Sequence, residues 1–172
     1  LIKVPGLVNL DFADVKGQQE AKRALEIAVA GNHNCMIIGP PGNGKTMLAK
    51  RVLSIMPKLT YEEFLEINKI SDLVENQDKL RITRPFLNPH YSISKVGLIG
   101  GGNNPKPGVI TLAHNGVLFL DELLEFDKNT LESLRNPIED KEISLTRNNK
   151  KVTYPCNSLL ILSTNPCKCG YR

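Results

Sequence analysis

Residues 39–46 read Gly39-Pro40-Pro41-Gly42-Asn43-Gly44-Lys45-Thr46. Glycines at this spacing let successive backbone N–H groups turn inward around a phosphate chain, and a helix starting just after them adds its positive end at the same place. Lys45 can reach the terminal phosphates, and Thr46 can give one oxygen to a Mg²⁺ that keeps water and phosphate as its other ligands. The expected nucleotide-binding set is Gly39, Pro40, Pro41, Gly42, Asn43, Gly44, Lys45, Thr46 and Met47, with ATP and Mg²⁺ as the ligands. Further along, Val117-Leu118-Phe119-Leu120-Asp121-Glu122 ends an apolar run in two carboxylates. Asp121 there would join Thr46 in holding Mg²⁺ through water, and Glu122 would orient or deprotonate the attacking water. Read alone, the same pair would only cap the next helix. Leu159-Leu160-Ile161-Leu162-Ser163-Thr164-Asn165 is a third apolar run with a polar end. It offers Asn165 to the γ-phosphate or the water; alone, Asn165 is a turn residue before Pro166.

These residues converge only if strands and helices carry them to one edge. A helix is expected from Gln18 to Ala30, with Ala21, Ala24, Leu25, Ala28 and Val29 in one stripe and Gly31 as its stop. Cys35-Met36-Ile37-Ile38 is a short, wholly apolar run that reads as a buried parallel strand. A helix from Gly44 to Ile55 follows, with Leu48, Val52 and Ile55 inward and Pro57 ending it. The pattern then suggests a helix near 61–65 and a second strand near 65–70. Residues 83–110 hold four prolines and five glycines and read as a long irregular, functional stretch. Val117 to Leu120 is a buried strand. Asp127 caps a helix carrying Leu131, Leu134 and Ile138. Residues 142–155 form a hairpin with Ile143, Leu145, Val152 and Tyr154 on its arms, and Ser158 to Thr164 is the last strand. Strands alternating with helices give an α/β fold with a parallel central sheet.

Length and composition agree with one globular domain: 172 residues, 41% hydrophobic and 23% charged. That balance excludes a disordered or collagen-like chain. No apolar run approaches the ~18 residues of a membrane span, and no signal segment opens the chain, so a cytoplasmic location without membrane partners is expected. Cys35 reads as core, and Cys167 and Cys169 stand too close for an unstrained disulfide, which fits a reducing compartment. That last pair would be half of a zinc site if ligands followed. His33, His90 and His114 have no ligand spacing and read as structural. The net charge is +4, and its excess lies wholly in residues 81–172.

The three polar strand ends together resemble the magnesium-chelatase-like group of AAA+ ATPases, the group that contains the bacterial competence proteins. Asp14-Val15-Lys16-Gly17-Gln18, Arg84-Pro85-Phe86, Pro89-His90, Gly100-Gly101-Gly102, Pro107-Gly108, Ala113-His114-Asn115-Gly116 and Asn165-Pro166-Cys167-Lys168-Cys169-Gly170 carry the likeness in family order. The resemblance implies an αβα P-loop NTPase core over residues 1–172, ending after the sensor strand and before the arginine finger and lid. It implies a helix-2 insert at about 84–110 and a pre-sensor hairpin at about 141–155. It also implies Mg²⁺-dependent ATP hydrolysis, slow in this piece for want of the finger, and assembly of the full-length protein into a ring, a hexamer by family habit. The hairpin carries Lys141, Arg147, Lys150 and Lys151 against Glu142. Arg147, Lys150 and Lys151 would touch nucleic-acid phosphates from a pore, or merely solvate the tip. Arg135 is a candidate to act on a neighbouring subunit's site, or a surface arginine paired with Glu132 or Glu139. Three functions remain open: a DNA-remodelling motor, a chelatase-type ATPase driving metal insertion, and a non-catalytic nucleotide-responsive module. The Asp121-Glu122 pair counts against the last.

Overall fold

A computed structural model of the chain describes residues 10–74, 80–102, 105–147 and 150–166. A short turn at Phe12–Asp14, closed by a capping box on Asp11, drops Phe12 into the core ahead of α1 (Gln19–Gly31). α1 buries Leu25 and Ala28, and its last carbonyls are met by the N–H of Asn32 in a left-handed cap. Then come β1 (Cys35–Ile38) and α2 (Lys45–Arg51), which tightens into a 3₁₀ turn at Val52–Ile55. The expected Gly44 to Ile55 helix is therefore one α segment and one 3₁₀ segment, with Leu48 and Val52 both buried.

The expected strand near 65–70 is instead part of a helix, α3 (Tyr61–Asp72). Thr60 and Glu63 close a reciprocal capping box at its start, and Ile67 and Ile70 fall on its buried face. The strand is β2 (Phe86–Leu87), only two residues long and too short to show a period. It lies within the stretch expected to be an insert, so the insertion proper starts after it. There α4 (Lys95–Ile99) runs into a small ribbon of β3 (Gly100–Gly101) and β4 (Lys106–Pro107), then α5 (Val109–Leu112).

β5 (Val117–Leu120) is buried throughout, as expected. After it, the single helix expected beyond Asp127 is two short ones, α6 (Lys128–Glu132) and α7 (Arg135–Asp140). Asp127 does cap α6, accepting from the Thr130 N–H. Pro137 has no N–H to return to the Ser133 carbonyl, which explains the break. The hairpin is present as β6 (Glu142–Arg147) and β7 (Lys150–Pro155), followed by β8 (Leu159–Thr164).

The central sheet runs β1-β8-β5-β2 with every neighbour parallel. Alternate side chains face two cores. Val117, Phe119, Leu159 and Ile161 point toward α1 and α2 and meet Leu25, Leu48 and Val52. Leu118, Leu120 and Leu160 point the other way, toward Leu98, Ile110, Leu134 and Ile143. Each such fully buried side chain contributes about 1.5–3 kcal/mol. β1 departs from expectation: it alternates, with Cys35 and Ile37 inward but Met36 and Ile38 exposed at 48% and 62%. One face of β1 packs against the core with Cys35 and Ile37, and the other face, with Met36 and Ile38, is exposed.

One polar clasp locks α3 to the entry of β5. Arg84 donates to both carboxylate oxygens of Glu63 at 2.8 Å and to the carbonyls of Pro57 and Asn115. His114, buried, accepts the Asn157 N–H at Nδ1 and meets Glu66 at Nε2 over 3.0 Å. The residues between them pack tightly: a Cβ on Gly116 would stand 2.1 Å from the Pro85 carbonyl oxygen. Arg84-Pro85-Phe86 and Ala113-His114-Asn115-Gly116 are thus accounted for by packing.

Candidate active site

α2 begins directly after the phosphate loop, and Gly44 is its N-cap at φ +74°. Gly42 sits at φ +81° with open space around it, so its requirement is conformational, not steric. The loop is moored at both ends. The Gly39 N–H donates to the Thr164 carbonyl at 3.2 Å, and the Gln18 side chain reaches the Asn43 carbonyl at 3.4 Å. Residues Pro41 to Met47, Asp121, Glu122 and Ser163 to Asn165 line one open cleft. Every nucleotide-site residue expected from sequence therefore lies along one loop or in this cleft.

The sheet explains the convergence. Val117, Phe119 and Asp121 lie on one row of β5, and Leu159, Ile161 and Ser163 on the matching row of β8. Each row runs apolar, apolar, polar, and both polar members arrive over the start of α2. Thr46 Oγ1 donates to Asp121 Oδ2 at 2.6 Å. Ser163 Oγ donates to Asp121 Oδ1 at 2.7 Å, and the Glu122 N–H donates to the same oxygen at 3.1 Å. Lys45 Nζ is held by the Gly39 carbonyl at 2.6 Å, the Pro40 carbonyl at 3.0 Å and Asn165 Oδ1 at 2.9 Å. Glu122 is exposed, and its backbone is left-handed at φ +53°. This conformation is uncommon for a residue with a side chain.

In the sequence alone Ser163 is only the first polar residue of the Leu159–Asn165 run and carries no assigned task. The signal was present: a hydroxyl two residues beyond Ile161, where the period of the strand calls for another apolar side chain.

A hard divalent cation fits here. Thr46 spends its hydroxyl proton on Asp121, which leaves its oxygen lone pairs for another partner, and the donors around it are all oxygens. Among the described residues no group of three or more His, Cys, Asp or Glu is placed to hold a metal.

The remaining candidates lie elsewhere. Arg147 and Lys150 form the last pair of the β6–β7 ribbon, and Lys151 pairs with Thr146 one step in, exposed. The side chains of Arg147 and Lys150, and all of Cys167 and Cys169, lie outside the described residues. Arg135 is exposed and pairs with Glu139 at 3.4 Å, the surface arrangement foreseen as the alternative for it. His90 stacks on Tyr91 and bonds Ser92, away from the cleft. Cys35 is partly buried. Cys156 is buried and donates to the Pro137 carbonyl at 3.2 Å. Burial, helped by Glu142 and Asp140, pushes its thiol up to about 11, so it is inert at neutral pH. No helix among the described residues is long and apolar enough to cross a membrane.

Comparison with known proteins fits this arrangement. The family described as magnesium chelatase, subunit ChlI, matches residues 11–172. An uncharacterized protein of Escherichia coli, YifB, is 51% identical over 163 residues, covering 94% of this chain and 32% of its own. The competence protein ComM of Haemophilus influenzae is 46% identical over 172 residues, covering 99% of this chain and 34% of its own. The chain thus spans about a third of the length of these curated relatives. Among solved structures, a complex between the BchI and BchD subunits of magnesium chelatase aligns at TM-score 0.71 and 18% identity. That alignment covers 91% of this chain and 55% of that one. At such identity the likeness speaks for the fold.

Proposed function

Because the chain belongs to the magnesium chelatase ChlI family of AAA+ ATPases, we propose that its cleft binds ATP with Mg²⁺ and hydrolyses it. The observation that carries this reading is the Thr46–Asp121 hydrogen bond of 2.6 Å, which joins the end of the phosphate loop to the acidic strand end beside Lys45. Thr46 and Asp121 would hold Mg²⁺, Asp121 through water, and the ion would neutralise charge on the phosphates. The loop amides and Lys45 bind the phosphate chain. Glu122 takes the proton of the attacking water, and Asn165 contacts the γ-phosphate or that water. Lys45→Ala should abolish binding of a fluorescent ATP analogue while leaving the fold melting normally; equal binding by the variant would sink the reading.

The motor reading extends to residues 1–172 as the first part of an AAA+ core in a longer protein that assembles into a hexameric ring and remodels DNA, branch migration included. Its support is the 46% identity to the competence protein together with a ribbon whose tip pairs Arg147 with Lys150 beside exposed Lys151. A chelatase-type ATPase working through a tetrapyrrole-binding partner is the alternative. ATPase of the full-length protein stimulated by branched DNA supports the first; stimulation only by such a partner supports the second. Arg135 reaching a neighbouring subunit's nucleotide would have to give up its contact with Glu139.

A further inference from the structure

The Asp121 carboxylate receives three hydrogen bonds from three chain segments, and one of the donors has no other evident task. Ser163 is fully buried. A buried hydroxyl in a strand is retained at a cost unless it is paired, and its described pairing is to Asp121 Oδ1 at 2.7 Å. Its neighbours on the same row of β8, Leu159 and Ile161, are part of the apolar core. An alanine would continue that core without strain. The hydroxyl therefore serves the carboxylate and not the packing.

We infer that Ser163 is a positioning residue for Asp121. Together with the Glu122 N–H it fixes Oδ1, so that Oδ2 is presented to Thr46 and to the cation these two residues would hold. A carboxylate gripped at one oxygen from β8 and at the other from α2 has lost its rotation about χ2. Outer-shell hydrogen bonds of this kind orient a metal-side ligand, and removing one typically weakens metal affinity by about 10- to 100-fold. The inference rests on the ATP–Mg²⁺ reading above.

The test is a Mg²⁺ titration of binding of a fluorescent ATP analogue to the wild-type chain, to Ser163→Ala and to Ser163→Thr, with a parallel measurement in EDTA and a melting curve for each. The expected result for Ser163→Ala is a Mg²⁺ half-saturation raised about tenfold, with affinity in EDTA and melting temperature close to wild type. Ser163→Thr, which keeps the hydroxyl, should lie nearer wild type. An unchanged Mg²⁺ requirement in Ser163→Ala overturns the inference. So does an equal loss with and without Mg²⁺ accompanied by lower melting, since that describes a packing residue. Failure of the wild-type chain to bind the analogue in either buffer overturns the parent reading, and this one with it.

Discussion

Lys45 Nζ lies 2.9 Å from Asn165 Oδ1, joining residues 120 positions apart. The contact fixes the amide: with Oδ1 turned to the ammonium group, the Nδ2 donors point away from it. Asn165 is thereby oriented as a donor within the cleft that Glu122 also lines.

From this geometry, Asn165 and Glu122 should fail in the same way. Neither binds the bulk of the phosphate chain in the proposed site, so Asn165→Ala and Glu122→Gln should hold an ATP analogue within about threefold of wild type. Turnover should fall roughly 100-fold or more, the range for losing a transition-state donor or a general base. Side-by-side equilibrium binding and single-turnover hydrolysis in the full-length protein measure the split. Binding and turnover lost in parallel would place both residues among the ground-state contacts.

The clasp on α3 predicts an acid-sensitive fold. The hydrogen bond from Arg84 holds Glu63 below the usual carboxylate range, and those from His114 and then Asn115 do the same for Glu66. A carboxyl with a lowered folded-state value stabilises fully above the unfolded value of about 4.3, and that contribution disappears as pH falls through the lowered value. Melting temperature should therefore drop below roughly pH 4.3, and Arg84→Ala should flatten the drop. At neutral pH the same variant should cost about 3 kcal/mol, because Glu63 and the carbonyls of Pro57, Lys58 and Asn115 lose their donor together. Denaturant melts at several pH values give both numbers.

Gly116 predicts a steric failure without chemistry. Its added Cβ would meet the Pro85 carbonyl oxygen at 2.1 Å, an atom already accepting from the Val117 N–H at 2.8 Å. Backbone on both sides must move for alanine to fit. Gly116→Ala should destabilise by about 3 kcal/mol and leave the residual folded protein with normal nucleotide affinity. Chemical denaturation together with analogue binding checks this.

The β6–β7 ribbon predicts a salt effect. If Arg147, Lys150 and Lys151 neutralise DNA phosphates, their combined replacement by alanine should make the slope of log affinity against log salt shallower by about two to three. Filter binding or anisotropy over a salt series reads the slope directly. An unchanged slope assigns the charges to solubility.

Much of the candidate site is legible in the sequence because its residues end apolar runs. Asp121, Glu122 and Asn165 are conspicuous where they stop a strand, and the glycines and lysine of the loop are conspicuous anywhere. What escaped depends on partners distant in sequence. β2 is two residues long, and only its pairing with β5, Phe86 with Val117 and Leu87 with Leu118, makes it a strand. The helical register of residues 65–70 is decided by the Thr60–Glu63 cap and by Asn68, whose side chain bonds the Phe64 and Arg81 carbonyls. The exposure of Met36 and Ile38 depends on which face of β1 is covered, which no local pattern encodes. Arg84 and His114 stand in recognisable motifs, but their roles appear only when Glu63, Glu66 and Asn157 come into reach.

Glu122 holds its left-handed backbone at φ +53° without the freedom a glycine would bring. That conformation costs roughly 1 kcal/mol for a residue with a Cβ. A glycine there would relax the turn while removing the acid. If Glu122 serves the proposed hydrolysis, this one position would trade robustness against turnover, and screens for thermal tolerance alone would tend to remove the acid.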